Sequence, residues 1–360
     1  MPKRSLEQIR DRIDAIDADI QRLINERARC AQEVAETKLK EGGEVNFYRP
    51  EREAQVLRKV IERNEGPLPA EEMARIFREI MSACLALEQQ MRVAYFGPAG
   101  SFTHAAAVKH FGHSALPVPH RAIDEVFRDV EAGNSHYGVV PVENSTEGVV
   151  NHTLDMFLSS PLKVCGEVEV RIHHCLLSRE TDFSTIKKIY AHQQALAQCR
   201  EWLDESFKDV PREAVSNNAE AARLASREEG TAAIASSTAA EIYDLNILAA
   251  NIEDEPDNTT RFLIIGKQSP PPSGQDKTTL LLSTPNRPGA LARLLVPLAE
   301  AGVSMTRIES RPSRRGMWDY VFFVDIEGHA EDPKVAQALE GLKKETAMLK
   351  ILGSYPVAVL

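Results

Sequence analysis

Residues 6–40 read LEQIRDRIDAIDADIQRLINERARCAQEVAETKLK. Leu6, Ile9, Ile13, Ile16, Ile20 and Leu23 follow one another at alternating spacings of three and four, the seam of a helix packed lengthwise against other helices. No glycine or proline interrupts the chain from Ser5 to Glu41, and Gly42-Gly43 supplies a stop. The spacing predicts one long helix over 6–40. Extended, the seam lands on Arg27, Cys30 and Val34. An arginine in an apolar seam must be paired or must bind something, because a lone buried charge is costly. Lys38 shares the face of Arg27, about three turns further on at 3.6 residues per turn. Arg10 lies roughly 25 Å from Arg27 along the axis at 1.5 Å per residue. One small ligand touches both only if Arg10 comes from a second copy of the chain. The plainer reading makes Arg10 and Lys38 solvated surface charges.

Outward from that helix, the 360 residues suggest two or three domains. A net charge of −10, with basic residues dispersed, argues against nucleic acid as the main partner. No apolar run approaches a membrane span. Met1-Pro2-Lys3-Arg4 leads into the charged helix without an apolar signal core, so a cytoplasmic location and no membrane partner are expected. The cysteines (Cys30, Cys84, Cys165, Cys175 and Cys199) are scattered and lack a CxxC, which fits reduced thiols better than disulfides or a metal site. His173-His174-Cys175 resembles a ligand cluster, but it sits in a strand-like run, Val168 to Leu177, where neighbours point to opposite faces.

Residues 1–91 read as all helix. A second helix is expected over about Glu51–Glu65, broken by Gly66-Pro67-Leu68-Pro69, and a third over Ala70 to about Gln90. Cys84 and Glu88 are spaced to share a face. Three helices of unequal length leave the long seam uncovered, and pairing with a second copy would cover it. Residues 92–267 alternate short apolar strands with helices: Val93–Phe96, Tyr137–Pro141, Val164–Val170, Ile186–Ala191, Ala232–Ala235 and Phe262–Ile265. Neither GxGxxG nor GxxxxGK[ST] is present. Polar loops instead precede helices at 97–104 (GPAGSFTH), 141–148 (PVENSTEG) and 191–194 (AHQQ). Singly, each is an ordinary helix cap; together with Asp257–Phe262 they suggest an anionic-ligand cleft. Residues 268–277, with Pro270-Pro271-Pro272-Ser273-Gly274, form a linker. Residues 278–360 give the order βαββαβ, a ferredoxin-like unit without a cluster of titratable groups. Its expected elements are strand 278–284, a helix opened by Pro288-Gly289, strands 303–310 and 318–326, helix 332–348 and strand 349–357.

Arg10, Glu26-Arg27, Lys38, Arg52-Glu53 and the SACLALEQ stretch Ser82–Gln89 resemble the helical chorismate mutase domain over residues 5–90. The resemblance implies that Arg10 of a partner chain and Arg27 hold the substrate carboxylates, that Lys38 and Glu88 face the ether oxygen, and that Glu53 takes the ring hydroxyl with Arg52 close by. Cys84 stands where serine is common in the family, and Glu88 where Gln or Glu is. A glutamate donates a hydrogen bond to an ether only when protonated, so a raised Glu88 pKa is expected, with mutase activity falling as pH rises. No nucleophile, metal or cofactor is implied, since the rearrangement needs only a held conformer and stabilised charge.

The loops at 97–104, PVENSTEGVV at 141–150, HQQALAQC at 192–199 and NTTRF at 258–262 resemble prephenate dehydratases. That resemblance implies two α/β lobes like those of a periplasmic binding protein, with substrate between them. It places Thr260 at the leaving hydroxyl. Asn144, Ser145, Thr146, His192 and Gln193 would shape the pocket, Gln193 standing where proline is frequent. Arg261 would pair with a carboxylate or brace the lobes. Gly289-Ala290-Leu291 and Glu309-Ser310-Arg311-Pro312 resemble the amino-acid-binding ACT domain and imply phenylalanine bound between paired ACT domains; the alternative there is a plain dimerisation module. The chain as a whole resembles the bifunctional chorismate mutase–prephenate dehydratases. That implies chorismate and prephenate as substrates, L-phenylalanine as inhibitor, and a homodimer or a tetramer built from dimers. The alternatives are arogenate dehydratase activity in the middle domain and a non-catalytic ligand sensor.

Overall fold

The computed structural model describes residues 5–41, 46–284, 288–312 and 320–360. It opens with α1 (Leu6–Glu41). Ser5 and Gln8 cap this helix reciprocally: the Gln8 amide donates to Ser5 Oγ at 3.2 Å and the Ser5 amide to Gln8 Oε1 at 3.0 Å. The stop expected at Gly42-Gly43 lies outside the described residues. Helix α2 (Pro50–Glu62) begins on a proline, whose missing N–H is harmless in a first turn. Helix α3 (Ala70–Glu88) follows the Gly-Pro-Leu-Pro break. The seam from Leu6 to Leu23 stays between 44% and 64% exposed. Among the described residues of one chain, therefore, nothing covers it, while further along α1 meets α3 around the cavity lined by Arg27, Val34 and Lys38.

Lobe one follows: β1 (Arg92–Phe96), α4 (Phe102–Phe111), β2 (Leu116–His120), α5 (Ile123–Ala132), β3 (Tyr137–Asn144), β4 (Gly148–Val149), α6 (Asn151–Phe157) and β5 (Lys163–Arg171). The expected single run Val168–Leu177 does not exist as one strand. It breaks at 172–174 and crosses into lobe two, made of β6 (Cys175–Ser178), β7 (Lys188–His192), α7 (Gln193–Gln198), α8 (Arg200–Ser206), β8 (Arg212–Val215), α9 (Asn218–Ala225), β9 (Thr231–Ala235), α10 (Ser237–Tyr243) and β10 (Asn246–Ala250). The chain then returns as β11 (Thr259–Gly266). Lobe one is a sheet of order β2-β1-β3-β11-β5 with β4 attached to β3, and lobe two is β10-β6-β9-β7-β8. Two crossings joining two sheets give the two-lobed, binding-protein-like arrangement. β11 runs antiparallel to both β3 and β5, with Phe262 opposite Pro141 and Val168.

The last unit comprises β12 (Asp276–Ser283), α11 (Ala290–Ala301), β13 (Met305–Pro312), β14 (Tyr320–Glu327), α12 (Pro333–Glu345) and β15 (Met348–Pro356). Its antiparallel sheet runs β13-β14-β12-β15, the expected ferredoxin-like order; Trp318 and Asp319 of the strand expected over 318–326 lie outside the described residues. Leu280, Leu282, Leu294, Leu298 and Leu342 pack one face against α11 and α12. The other face joins lobe one, where Leu281, Phe323 and Leu352 share a core with Val140, Leu263 and Phe157. A Cβ on Gly353 would collide with the Val164 carbonyl, so β15 and β5 touch backbone to backbone there.

Helix α3 is also riveted to lobe one. Gly112, at φ +74°, ends α4 directly against Ser82 with no room for a side chain. Glu79 accepts from the His113 amide at 3.0 Å, and Arg58 of α2 donates to the linker carbonyls of Ser273 and Gln275.

Candidate functional sites

A cavity of about 410 Å³ opens between α1, the loop before α2, α2 and α3. Arg27, Lys38, Arg52, Glu53, Cys84 and Glu88 all line it, so six residues singled out from sequence converge. Helical periodicity delivers Arg27 and Lys38 from one face of α1, and Cys84 and Glu88 from one face of α3. Arg10 is not among the lining residues; it sits exposed on the uncovered first half of α1. Phe47 and Tyr48, not marked in the sequence, complete the wall. Lys38 Nζ donates to the Asn46 carbonyl at 3.3 Å and lies 5.8 Å above the Phe47 ring. Burial raises the pKa of Glu88, against the pull of Lys38 and Arg27. Burial likewise raises that of Glu53, which Arg78 opposes from 3.3 Å. The result is a pocket rich in guanidinium and ammonium groups with two carboxyls whose pKa values burial raises. It suits a small dicarboxylate bearing hydroxyl or ether oxygens.

The second site is the cleft between the lobes. Asn144, at the end of β3, organises its floor. Its Nδ2 donates to Thr260 Oγ1 at 2.8 Å and to Asn258 Oδ1 at 2.7 Å. Its Oδ1 accepts from the amides of Thr146 and Glu147, each at 3.0 Å, and from Thr146 Oγ1 at 2.7 Å. Since Thr260 Oγ1 accepts from Asn144, the hydroxyl proton remains free to be donated elsewhere. Ser145 is used differently: its Oγ accepts from the Thr259 amide at 2.9 Å and donates to the Asp257 carbonyl at 3.2 Å, stapling the loop to β11. His192 precedes α7, its amide bound to Asn218 Oδ1 at 2.9 Å, and Gln193 opens that helix.

Sequence reasoning missed the residues that span the cleft. Gln198 of lobe two donates to Glu147 Oε1 of lobe one at 3.2 Å and accepts from His174 Nε2 at 2.8 Å. His174 lies in the crossing segment, its amide held by Glu253 Oε2 at 2.8 Å. Burial raises the pKa of Glu147, with His192 opposing. Gln198 lies inside the quoted HQQALAQC motif; only the folded crossing shows that it faces Glu147. A second bridge runs from Ser236 Oγ to the Gly100 carbonyl at 2.9 Å. His173 binds Glu253 at 2.7 Å, so each histidine of the 173–175 triplet is engaged separately.

Arg261 requires a correction. Its side chain leaves β11 on the face opposite Thr260 and enters the junction with the last domain. There it donates to Glu167 at 2.8 Å, Asp325 at 2.6 Å and Tyr355 at 3.0 Å. Burial works against its charge, but Tyr355, Asp325 and Glu167 outweigh burial and hold its pKa above the ordinary value. Neither pairing with a substrate carboxylate nor bracing of the two lobes describes it: alternate strand residues point to opposite faces, and Arg261 braces lobe one against the C-terminal sheet.

In that sheet Gly289, at φ +74°, caps α11, with Ala290 and Leu291 in the first turn. Glu309, Ser310, Arg311 and Pro312 end β13. Ser283 pairs with Val321, and Val321 with Arg311. The end of β12, which leads toward α11, therefore lies two strands from Arg311, roughly 10 Å at about 4.8 Å per strand. Residues 285–287 and 313–319, which adjoin them, lie outside the described residues. The Arg311 guanidinium turns to lobe one, where it meets Asp155 at 2.8 Å and also Asn151.

A helical cavity, a two-lobed cleft and a ferredoxin-like domain define a chain with two candidate reaction sites and an attached third domain. Family models match in the same order: chorismate mutase type II over residues 9–89, prephenate dehydratase over 93–270 and the ACT domain over 278–344. A bifunctional chorismate mutase/prephenate dehydratase of Stutzerimonas stutzeri is 58% identical over 99% of this chain and 98% of its own length. The prephenate dehydratase of Arthrobacter aurescens, solved in complex with L-Phe, is 36% identical with a TM-score of 0.68, covering 74% of this chain and 90% of that one. GqqA, described as a novel type of quorum quenching acylase, is 32% identical with a TM-score of 0.69, covering 74% of this chain and 98% of its own. The chain belongs to the bifunctional chorismate mutase/prephenate dehydratase family.

Proposed function

We propose that the chain converts chorismate to prephenate in the helical cavity and prephenate to phenylpyruvate, water and CO2 in the cleft, under feedback from L-phenylalanine at the ACT domain. The convergence of Arg27, Lys38, Arg52, Glu53 and Glu88 on one cavity carries the first assignment. The rearrangement needs no nucleophile: cations hold the dicarboxylate in its folded conformer, and Lys38 with protonated Glu88 stabilises charge growing on the ether oxygen. Glu53 receives the ring hydroxyl. Arg10 reaches this site from a second copy packed along the exposed seam of α1. The working unit is thus a homodimer, with pairing through the ACT domains available to extend it to a tetramer. No described helix is long and apolar enough to cross a membrane, which agrees with work in the cytoplasm.

In the cleft, the Asn144-oriented Thr260 hydroxyl donates toward the departing ring hydroxyl while the ring carboxylate leaves as CO2 and the ring becomes aromatic. The lobes close over the substrate through Gln198 and Glu147. Purified chain given chorismate, with prephenate and phenylpyruvate followed separately, tests both steps. Phenylpyruvate formation that L-phenylalanine suppresses is expected. Prephenate that accumulates while arogenate is consumed would move the second activity to arogenate, and ligand binding without turnover at either site would make the chain a sensor.

A further inference from the structure

The side chain of Arg78 lies between the two candidate reaction sites and is 9% exposed. On one side its Nε faces Glu53 Oε1 at 3.3 Å. On the other its Nη1 donates to the carbonyls of Lys109, at 3.0 Å, and of His110. These are last-turn carbonyls of α4, groups that a helix leaves unsatisfied and that attract cations. Tyr48 makes a parallel link: it lines the mutase cavity and its hydroxyl meets His110 Nε2 at 3.0 Å. Burial, and then Arg78, hold the His110 pKa well below its ordinary value, so the ring is neutral there. The first turn of α4 carries the GPAGSFTH loop of the dehydratase cleft, and its last turn holds the arginine that holds Glu53.

We infer that Arg78 is a positioning residue of the mutase reaction, and that the end of dehydratase helix α4 completes the mutase site by fixing Arg78 against Glu53. The inference rests on the reading that Glu53 receives the ring hydroxyl of chorismate. Its geometry is a clamp: the Lys109 and His110 carbonyls hold the guanidinium by hydrogen bonds, and its Nε is set 3.3 Å from the Glu53 carboxylate as an ion pair. Other charged or titratable groups stand around Glu53. Across the mutase cavity are Arg27, Lys38, Arg52 and Glu88; behind it are Tyr48, His110 and Glu167. Of these charges, Arg78 is the one that opposes the effect of burial on Glu53.

The test uses the full chain with Arg78→Met, Arg78→Lys and Glu53→Gln. In Arg78→Met the mutase kcat/KM is expected to fall by about tenfold to a hundredfold, the scale of a misplaced catalytic group. Dehydratase turnover of supplied prephenate should stay within about twofold of the parent, which reports that the chain is folded. The acid limb of the mutase pH profile should move to higher pH in Arg78→Met, because burial then acts on Glu53 unopposed, and should stay in place in Arg78→Lys. A loose fold alone would lower activity without moving that limb. Parent-like mutase kcat/KM in Arg78→Met beside a crippled Glu53→Gln overturns the inference while sparing the role of Glu53. Parent-like activity in Glu53→Gln removes both. If Arg78→Met does not fold, Arg78→Lys decides: a lower kcat with an unmoved acid limb supports the clamp, and an unchanged kcat refutes it.

Discussion

Thr260 and Arg261 are neighbours in β11, yet they serve opposite faces of the sheet: Thr260 Oγ1 accepts from Asn144 at 2.8 Å in the cleft, whereas Arg261 reaches Asp325 of the ACT sheet at 2.6 Å. Any shift of the ACT sheet that pulls on Asp325 therefore acts on the strand that carries Thr260. Two further ion pairs cross the same junction, Arg307 to Glu143 at 2.9 Å and Arg311 to Asp155 at 2.8 Å. Glu143 directly precedes Asn144, so strand β13 and the cleft floor share their supports.

Arg261→Leu should destabilise the chain by about 3–5 kcal/mol, the usual cost of leaving buried carboxylates without their cation. Glu167 would retain Lys277 at 2.8 Å, while Asp325 would lose its guanidinium. Denaturant unfolding followed by the loss of dehydratase activity measures this. A midpoint equal to that of the parent would show that Arg261 is not a structural lock.

Mutase activity should decline as pH rises through the Glu88 pKa. Burial lifts that pKa above the ordinary glutamate value, so the hydrogen-bond-donating acid persists below it and is lost above it. Glu88→Gln keeps a donor at every pH and should flatten that alkaline limb. Identical pH profiles in parent and variant would exclude Glu88 as the donor to the ether oxygen.

Gln198→Leu should lower dehydratase kcat/KM by roughly 5- to 150-fold, the equivalent of about 1–3 kcal/mol for stranding partly buried hydrogen-bond partners. The stranded groups are Glu147 and His174. Thr260→Val should cost about a hundredfold or more in kcat, the range for a lost proton donor. Both variants should rearrange chorismate at the parent rate. Steady-state assays on the two substrates separate these outcomes, and a Thr260→Val enzyme with parent-like kcat would remove Thr260 from the chemistry.

Chains carrying Arg10→Ala and chains carrying Arg27→Ala should each lack mutase activity. Mixed under conditions that exchange subunits, they should regain up to roughly a quarter of it, since a two-fold dimer with statistical mixing regenerates one complete site per mixed pair. No recovery on mixing would mean that both arginines are supplied by the same chain.

The heptad spacing of Leu6 to Leu23 made α1 legible, and the spacing of Arg27, Lys38, Cys84 and Glu88 placed them on the faces that now line one cavity. Three of the strands left unmarked, β2, β8 and β10, are edge strands. β2 contains Pro117 and Pro119, which an edge tolerates because one side of it needs no ladder. Strand parity separates Thr260 from Arg261 but does not say which face meets the cleft. Gln198, Glu147 and Arg78 act across contacts between segments distant in sequence, and no local pattern encodes a partner that arrives from another lobe. The uncovered seam of α1 was foreseeable for the opposite reason: a periodic apolar stripe announces that it needs a partner.

Strand β11 lies between β3 and β5, though lobe two separates it from them in the chain. Lobe two is spliced in at a single rung of its own sheet, Cys175 opposite Ala250. A ribosome making this chain therefore releases every strand of lobe two before lobe one receives the strand that joins β3 to β5. The order of maturation is inverted relative to the order of synthesis: the inserted lobe closes first, and lobe one waits open until residue 266 has emerged, the reverse of the usual N-terminal-first sequence. Nascent chains arrested with residue 255 exposed should already protect the segment 175–250 from protease while β3 and β5 remain cleavable. Protection of lobe one at that length would show that its sheet closes without β11.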